Sequence, residues 1–253
     1  MKKALIIAID AYPAPYTTRN NINDLLDLQN TLLAKGFSIS ILTDYQATRS
    51  NILGALQNTV SNATSSDNLV IAFFGHGSYI VGNEPDGRTE CICPVDVMSG
   101  NLITDDELAA VLAGLPSCSC DVILGCCYSG TGTRALSEGN EKPSNKKFKE
   151  LSCTCIPGPL TSSVLPKLSV VVSSMNHVLW AACKDNQLAY SGLSGGKYRG
   201  IFPTYLCYAM RMWPNKTRSE IDAYVTVKVK AVSASQDTQT EGTSLELSQP
   251  LFT

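Results

Sequence analysis

The chain has 253 residues with a formal net charge of −2, 17% charged and 44% hydrophobic residues, and a mean hydropathy of +0.02. This is ample apolar material for a globular core, and a near-neutral chain without a basic block gives no electrostatic reason to expect nucleic acid or an anionic membrane as partner. The apolar stretch Ala4 to Ile9 runs into Asp10 and is too short for a signal-peptide core or a membrane span, so it reads as a buried first strand of a cytoplasmic protein.

A helix is predicted over Asn23 to Lys35, where leucines at 25, 26, 28, 32 and 33 form an apolar stripe and Gly36 stops it in the C′ position. Phe37 to Leu42 follows as a second strand. Thr48 caps a second helix through Ile52, Leu53, Leu56 and Val60. Leu69 to Phe74 is a third strand, continuous in apolar residues. Asp105, Asp106 and Glu107 open a short helix, with three carboxylates at the favourable end of its dipole. Asp121 to Leu124 and Leu168 to Ser173 are two further apolar runs, and Trp180 to Gln187 reads as another strand end. Phe202 to Met212 is a helix with Pro203 in its first turn. Ala223 to Val232 is ambiguous, because Val225, Val227 and Val229 alternate as in a strand while the surrounding order favours a helix. Between these elements, Arg134 to Pro166 is rich in lysine, Pro and Gly and has no apolar period, which predicts a long surface loop or linker. Apolar runs interleaved with helices predict an α/β fold, a mostly parallel sheet covered on both faces. No internal repeat and no domain boundary are evident.

The ten cysteines include three Cys-x-Cys pairs, at 91/93, 118/120 and 153/155, and the adjacent Cys126 and Cys127. In a strand, positions i and i+2 face the same way, which does not suit a local disulfide. Free thiols are expected, and the Cys-x2-4-Cys spacing of a zinc site, completed by a second such pair or by histidines, is missing.

Only two histidines occur. His76 ends the third strand as Gly75-His76-Gly77, and about fifty residues later another apolar strand ends in Gly125-Cys126-Cys127-Tyr128-Ser129-Gly130. Two parallel strands would deliver both reactive groups to one sheet edge. A histidine can take the proton of a thiol, and the thiolate is the better nucleophile. His177 has no such setting and reads as structural or surface. Cys126 is expected to pack on the face opposite to its neighbour. A phosphate cradle between Cys127 and Arg134 would leave six intervening residues where phosphatase loops have five, and it leaves His76 unexplained.

These motifs resemble the metacaspases and their prokaryotic relatives among the caspase-like cysteine peptidases. The family's Ser-Gly-His-Gly-Ser motif stands here as Phe74-Gly-His-Gly-Ser78, and its Asp-Ser-Cys-His-Ser-Gly motif as Gly125-Cys-Cys-Tyr-Ser-Gly130. A Cys-x-Asn-Asp box reads Asn21-Ile-Asn-Asp24. A Tyr-Pro-x-Asp box reads Cys93-Pro-Val-Asp96, and a Cys-Lys-Asp-x-Gln element reads Cys183-Lys-Asp-Asn-Gln187. The resemblance implies a caspase-like αβα sandwich forming a single domain over residues 1–253. Its large-subunit-like part is 1–133, its linker 134–167 and its small-subunit-like part 168–253. It further implies a cysteine endopeptidase acting on peptide or protein substrates, with Cys127 as nucleophile and His76 as general acid/base. The backbone N–H groups of Gly77 and Cys127 would form the oxyanion hole.

Cleavage after Arg or Lys is implied through Asp24, but two pocket positions depart from the pattern: the second acid is Gly125 and the pocket serine is Phe74. Self-processing within the linker is also implied. Of the family's calcium aspartates, Asp105 and Asp106 match. Thr89 (beside Glu90) and Arg134 replace two others, and an arginine repels a cation, so no metal or other cofactor is expected. The altered pocket leaves open a second reading, a weakly active or inactive adaptor built on the same fold.

Overall fold

The structure, a computed structural model, describes residues 1–81, 88–126, 147–148, 176–184 and 187–252. In chain order the elements are β1 (Lys2–Ala8), α1 (Asn21–Leu33), β2 (Ser38–Thr43), α2 (Arg49–Ser61), β3 (Asn68–Phe74), β4 (Gly77–Val81), β5 (Arg88–Ile92), β6 (Ile103–Thr104) and α3 (Asp105–Leu112). They continue with β7 (Ser119–Leu124), β8 (Lys147–Phe148), β9 (Val178–Ala181), β10 (Tyr190–Ser194), β11 (Lys197–Gly200), α4 (Ile201–Met212), α5 (Arg218–Val232), β12 (Gln239–Glu241) and α6 (Ser244–Leu247). The expected strand Leu168 to Ser173 and the linker 134–167, apart from 147–148, lie outside the described residues.

The central sheet has the order β12-β9-β7-β3-β1-β2 and is parallel except for β12, which pairs antiparallel with β9. Strand alternation divides the core into two layers. Ala4, Ile6, Ala8, Val70, Ala72, Phe74 and Ile123 face α1, α4 and α5. Leu5, Ile7, Ile9, Leu69, Ile71, Phe73, Val122 and Leu124 face α2, α3 and a small antiparallel sheet, β4-β5-β6. Both faces are covered, which is why these strands are near-continuous in apolar residues. From β1 the chain passes through α1 to β2 on one side, then returns through α2 to β3 on the other side of β1. The gap between β1 and β3 is thus a topological switch point, where open α/β sheets leave a crevice at the carboxyl ends of their strands.

Local signals explain most boundaries. Gly36 takes φ +82°, and the N–H groups of Gly36 and Phe37 close on the carbonyls of Leu33 and Leu32. The Thr48 side chain accepts from Asn51 N–H, as expected of a cap. The helix at Asp105 is opened by Thr104, which forms a capping box with Glu107. The ambiguous segment is helix: Thr217 and Glu220 form another capping box, and Ile221, Val225 and Val229 bury one stripe while Val227 stays exposed. The valine alternation is therefore overridden by a helical stripe that packs on α4. The seven cysteines among the described residues are free thiols, and Cys91, Cys93, Cys120 and Cys126 pack in one layer.

Candidate active site

At the carboxyl end of β3 the chain leaves the central sheet after Phe74 and enters β4 at Gly77, so Gly75 and His76 make the whole connection. A side chain at position 75 would place its Cβ 2.6 Å from both the Tyr12 hydroxyl and the Phe73 ring, which is why glycine stands there. His76 is buried and held at three points. Its N–H donates to the Tyr12 hydroxyl at 3.1 Å, and its carbonyl accepts from Cys93 N–H at 3.0 Å. Its Nε2 lies 2.7 Å from the carbonyl oxygen of Tyr16. A carbonyl only accepts, so in the neutral ring Nε2 carries the proton and Nδ1 is the basic nitrogen.

The loop between β1 and α1 supplies both tyrosines, and it is itself pinned. Asp44 Oδ1 accepts the N–H groups of Asp10 and Ala11 at 2.8 and 2.9 Å. Asp10 in turn accepts from the Thr18 hydroxyl at 2.6 Å and from the N–H of Asn21 at 3.0 Å. Asn21, from the early motif, donates through Nδ2 to the Ile9 carbonyl at 2.7 Å. None of Tyr12, Tyr16 or Asp10 was singled out from the sequence. A backbone carbonyl has no residue signature, and the only available hint for Tyr12 was an aromatic residue just beyond a strand that ends at the switch point.

Cys127 lies outside the described residues, but the strand leading to it is defined. Phe73 and Leu124 are register partners, and Gly125 N–H donates to the Phe73 carbonyl at 2.8 Å. His76 and Cys127 each follow that register pair by three residues (73 to 76, 124 to 127). Cys126 is fully buried in the α2/α3 layer, the packing role expected of it. Gly77, the expected oxyanion residue, opens β4 and pairs with Ile92.

Asp24 is 1% exposed in the first turn of α1. Its Oδ1 accepts the N–H of Gly200 at 2.7 Å, at the N-terminus of α4, and Oδ2 accepts from Asn20 Nδ2 at 3.3 Å. It is more than a carboxylate at its own helix end, since it fastens α1 to the junction of β11 and α4. The two departures noted in the motifs are one feature. A Cβ at position 125 would run into the Phe74 ring, so the bulk present at 74 is accommodated by the bulk absent at 125. Gly125→Asp alone is expected to cost about 1–3 kcal/mol by overpacking. With Phe74→Ser added, the double variant should lose less than the sum of the two single losses, measured by urea unfolding.

Asp105 and Asp106 sit at the start of α3, where Asp105 Oδ1 accepts Asp106 N–H at 2.9 Å. Glu107 pairs with Arg49. Arg134, expected beside them, lies outside the described residues. Among the described residues no group of three or more His, Cys, Asp or Glu could hold a metal ion. His177 is buried, its ring Nδ1 3.2 Å from Asn176 Oδ1, and burial holds its pKa below the usual histidine value. No described helix is long and apolar enough to cross a membrane.

A mostly parallel sheet with helices on both faces and a histidine at a strand end is compatible with the caspase domain family, whose model the chain matches over residues 1–252. The chain belongs to that family. Within it, the chain is 37% identical to Metacaspase-1 of Yarrowia lipolytica over 145 residues, covering 51% of this chain and 32% of that protein. It is 26% identical to Metacaspase-1 of Mycosarcoma maydis over 261 residues, covering 87% of this chain and 65% of that one. The chain thus spans only about a third to two thirds of these relatives. A crystal structure of a Geobacter sulfurreducens protein superposes with a TM-score of 0.75 at 19% identity, over 100% of this chain and 98% of that one, a likeness of fold.

Proposed function

We propose that this chain is a cysteine endopeptidase in which Cys127 attacks a peptide carbonyl and His76 moves the protons. The supporting observation is the fixing of His76 Nε2 on the Tyr16 carbonyl, which turns Nδ1 into the base, at a strand end in register with the one that leads to Cys127. The thiol proton passes to Nδ1 and the thiolate adds to the carbonyl carbon, with the oxyanion received by the N–H groups of Gly77 and Cys127. The imidazolium, still bonded to the Tyr16 carbonyl, returns its proton to the leaving amine as the C–N bond breaks. Water then hydrolyses the thioester.

Preference for Arg or Lys at the cleaved position is assigned to Asp24, which a substrate cation would share with Gly200 N–H and Asn20. Self-processing in the linker draws support from the backbone. Lys147 and Phe148 pair antiparallel with Ser191 and Tyr190, and Ser191 pairs on its other side with Gly200, the donor to Asp24. The reaction is proposed to proceed without calcium.

A positional peptide library, run in calcium and in chelator, is expected to give hydrolysis after basic residues at equal rates in both. Asp24→Asn keeps an acceptor for Gly200 and removes the charge, so it should lower arginyl turnover at least about tenfold, the size of one lost charged contact. Unchanged arginyl turnover with an intact circular dichroism spectrum would sink the pocket assignment. The adaptor reading rests on the Phe74–Gly125 pair, which takes a carboxylate out of the pocket. It predicts that an electrophilic peptide probe leaves Cys127 unlabelled.

A further inference from the structure

The geometry points to Tyr12 as a positioning residue for His76, an inference that rests on the dyad proposed above. Tyr12 is 2% exposed, and its hydroxyl sits between two strand exits. It accepts the N–H of His76 at 3.1 Å and donates to the carbonyl of Cys93 at 2.7 Å. Cys93 N–H closes the circuit on the His76 carbonyl at 3.0 Å. One phenol therefore ties together the loop after β1, the β3–β4 connection and the exit of β5.

The ring contributes as well. It lies 4.6 Å from the imidazole, centroid to centroid, tilted by 57°. A ring packed at that distance restricts the imidazole to one setting. Burial, with Cys93 nearby, holds the Tyr12 proton well above its ordinary range, so the hydroxyl remains a donor to Cys93 throughout the working range of such an enzyme. The glycine at 75 is the space the hydroxyl needs. His76 is thus clamped from one loop in two ways. The Tyr12 hydroxyl sets the main chain, and the Tyr16 carbonyl sets the ring rotation that leaves Nδ1 as the base.

Tyr12→Phe tests this, because it keeps the ring and its packing and removes only the hydroxyl. Two rates are measured: turnover of the best library peptide, and alkylation of Cys127 by iodoacetamide, read from the mass of its tryptic peptide. Tyr12→Phe is expected to lower kcat about tenfold with KM unchanged and to slow alkylation by a similar factor, since both depend on a correctly placed base. Tyr12→Leu, which also loses the ring, should be slower still. Wild-type kcat and alkylation rates in Tyr12→Phe would overturn the inference, as would a change confined to KM. If Tyr12→Phe does not fold, Gly75→Ala, which retains the hydroxyl but displaces it, must slow alkylation or the inference fails. Should the wild-type protein cleave no peptide, the peptidase proposal falls while the alkylation comparison still decides the role of Tyr12.

Discussion

Alanine at position 127 is expected to bring peptide hydrolysis to background, a loss of at least about a thousandfold, because a nucleophile and its base act as one unit. Alanine at position 126 should leave most of the activity. Cys126 is fully buried among Cys120, Val122 and Leu124 in the α2/α3 layer, where no peptide can reach its sulfur. Purified variants assayed on the same peptide, with folding checked by circular dichroism, separate the two adjacent thiols. Equal losses from both would unseat the assignment of Cys127. His76→Ala should match Cys127→Ala within a small factor, and the double variant should be no worse than either alone.

The largest stability effect is expected far from that site, at Arg218. Its guanidinium is 3% exposed and makes a two-pronged pair with Asp121, at 2.7 and 2.8 Å, on the central strand β7. It also donates to Ser119 Oγ at 2.9 Å and to the carbonyls of Glu246 and Pro250. Asp121 accepts from Trp180 Nε1 at 2.9 Å, so the network joins β7, β9, α5, α6 and the residues after it. Removing one partner leaves a buried charge without compensation, and Arg218→Ala should cost about 3–5 kcal/mol. In a chain of this size that lowers the unfolding midpoint by on the order of 10 °C. Asp121→Leu combined with Arg218→Met should lose much less than the sum of the single losses, since hydrophobic replacement removes both charges together. Additive losses in thermal and urea unfolding would show that the two groups do not depend on each other.

What the sequence by itself determined is what acts over one turn or one strand. Apolar runs marked β1, β3 and β7, Thr48 and Gly36 marked helix ends, and the Gly-His-Gly and Gly-Cys-Cys motifs identified the strand ends where chemistry is expected. These signals are local, so they survive without knowledge of the fold. Tertiary structure decided the rest. The valines of 225–229 became helix because a stripe starting at Ile221 found α4 to pack on, a gain that outweighs a weak strand preference. The sheet β4-β5-β6 went unread because antiparallel register depends on partners rather than on any one segment. Asp24 was recognised as a motif residue, yet its contact with Gly200 spans 176 positions and no local pattern encodes it. Phe74 and Gly125 looked like two separate departures until the ring was seen to occupy the space of a missing side chain. The setting of His76 was the least legible part, since a carbonyl at Tyr16 and a hydroxyl at Tyr12 act through position, and position exists only once β1 and β3 lie side by side.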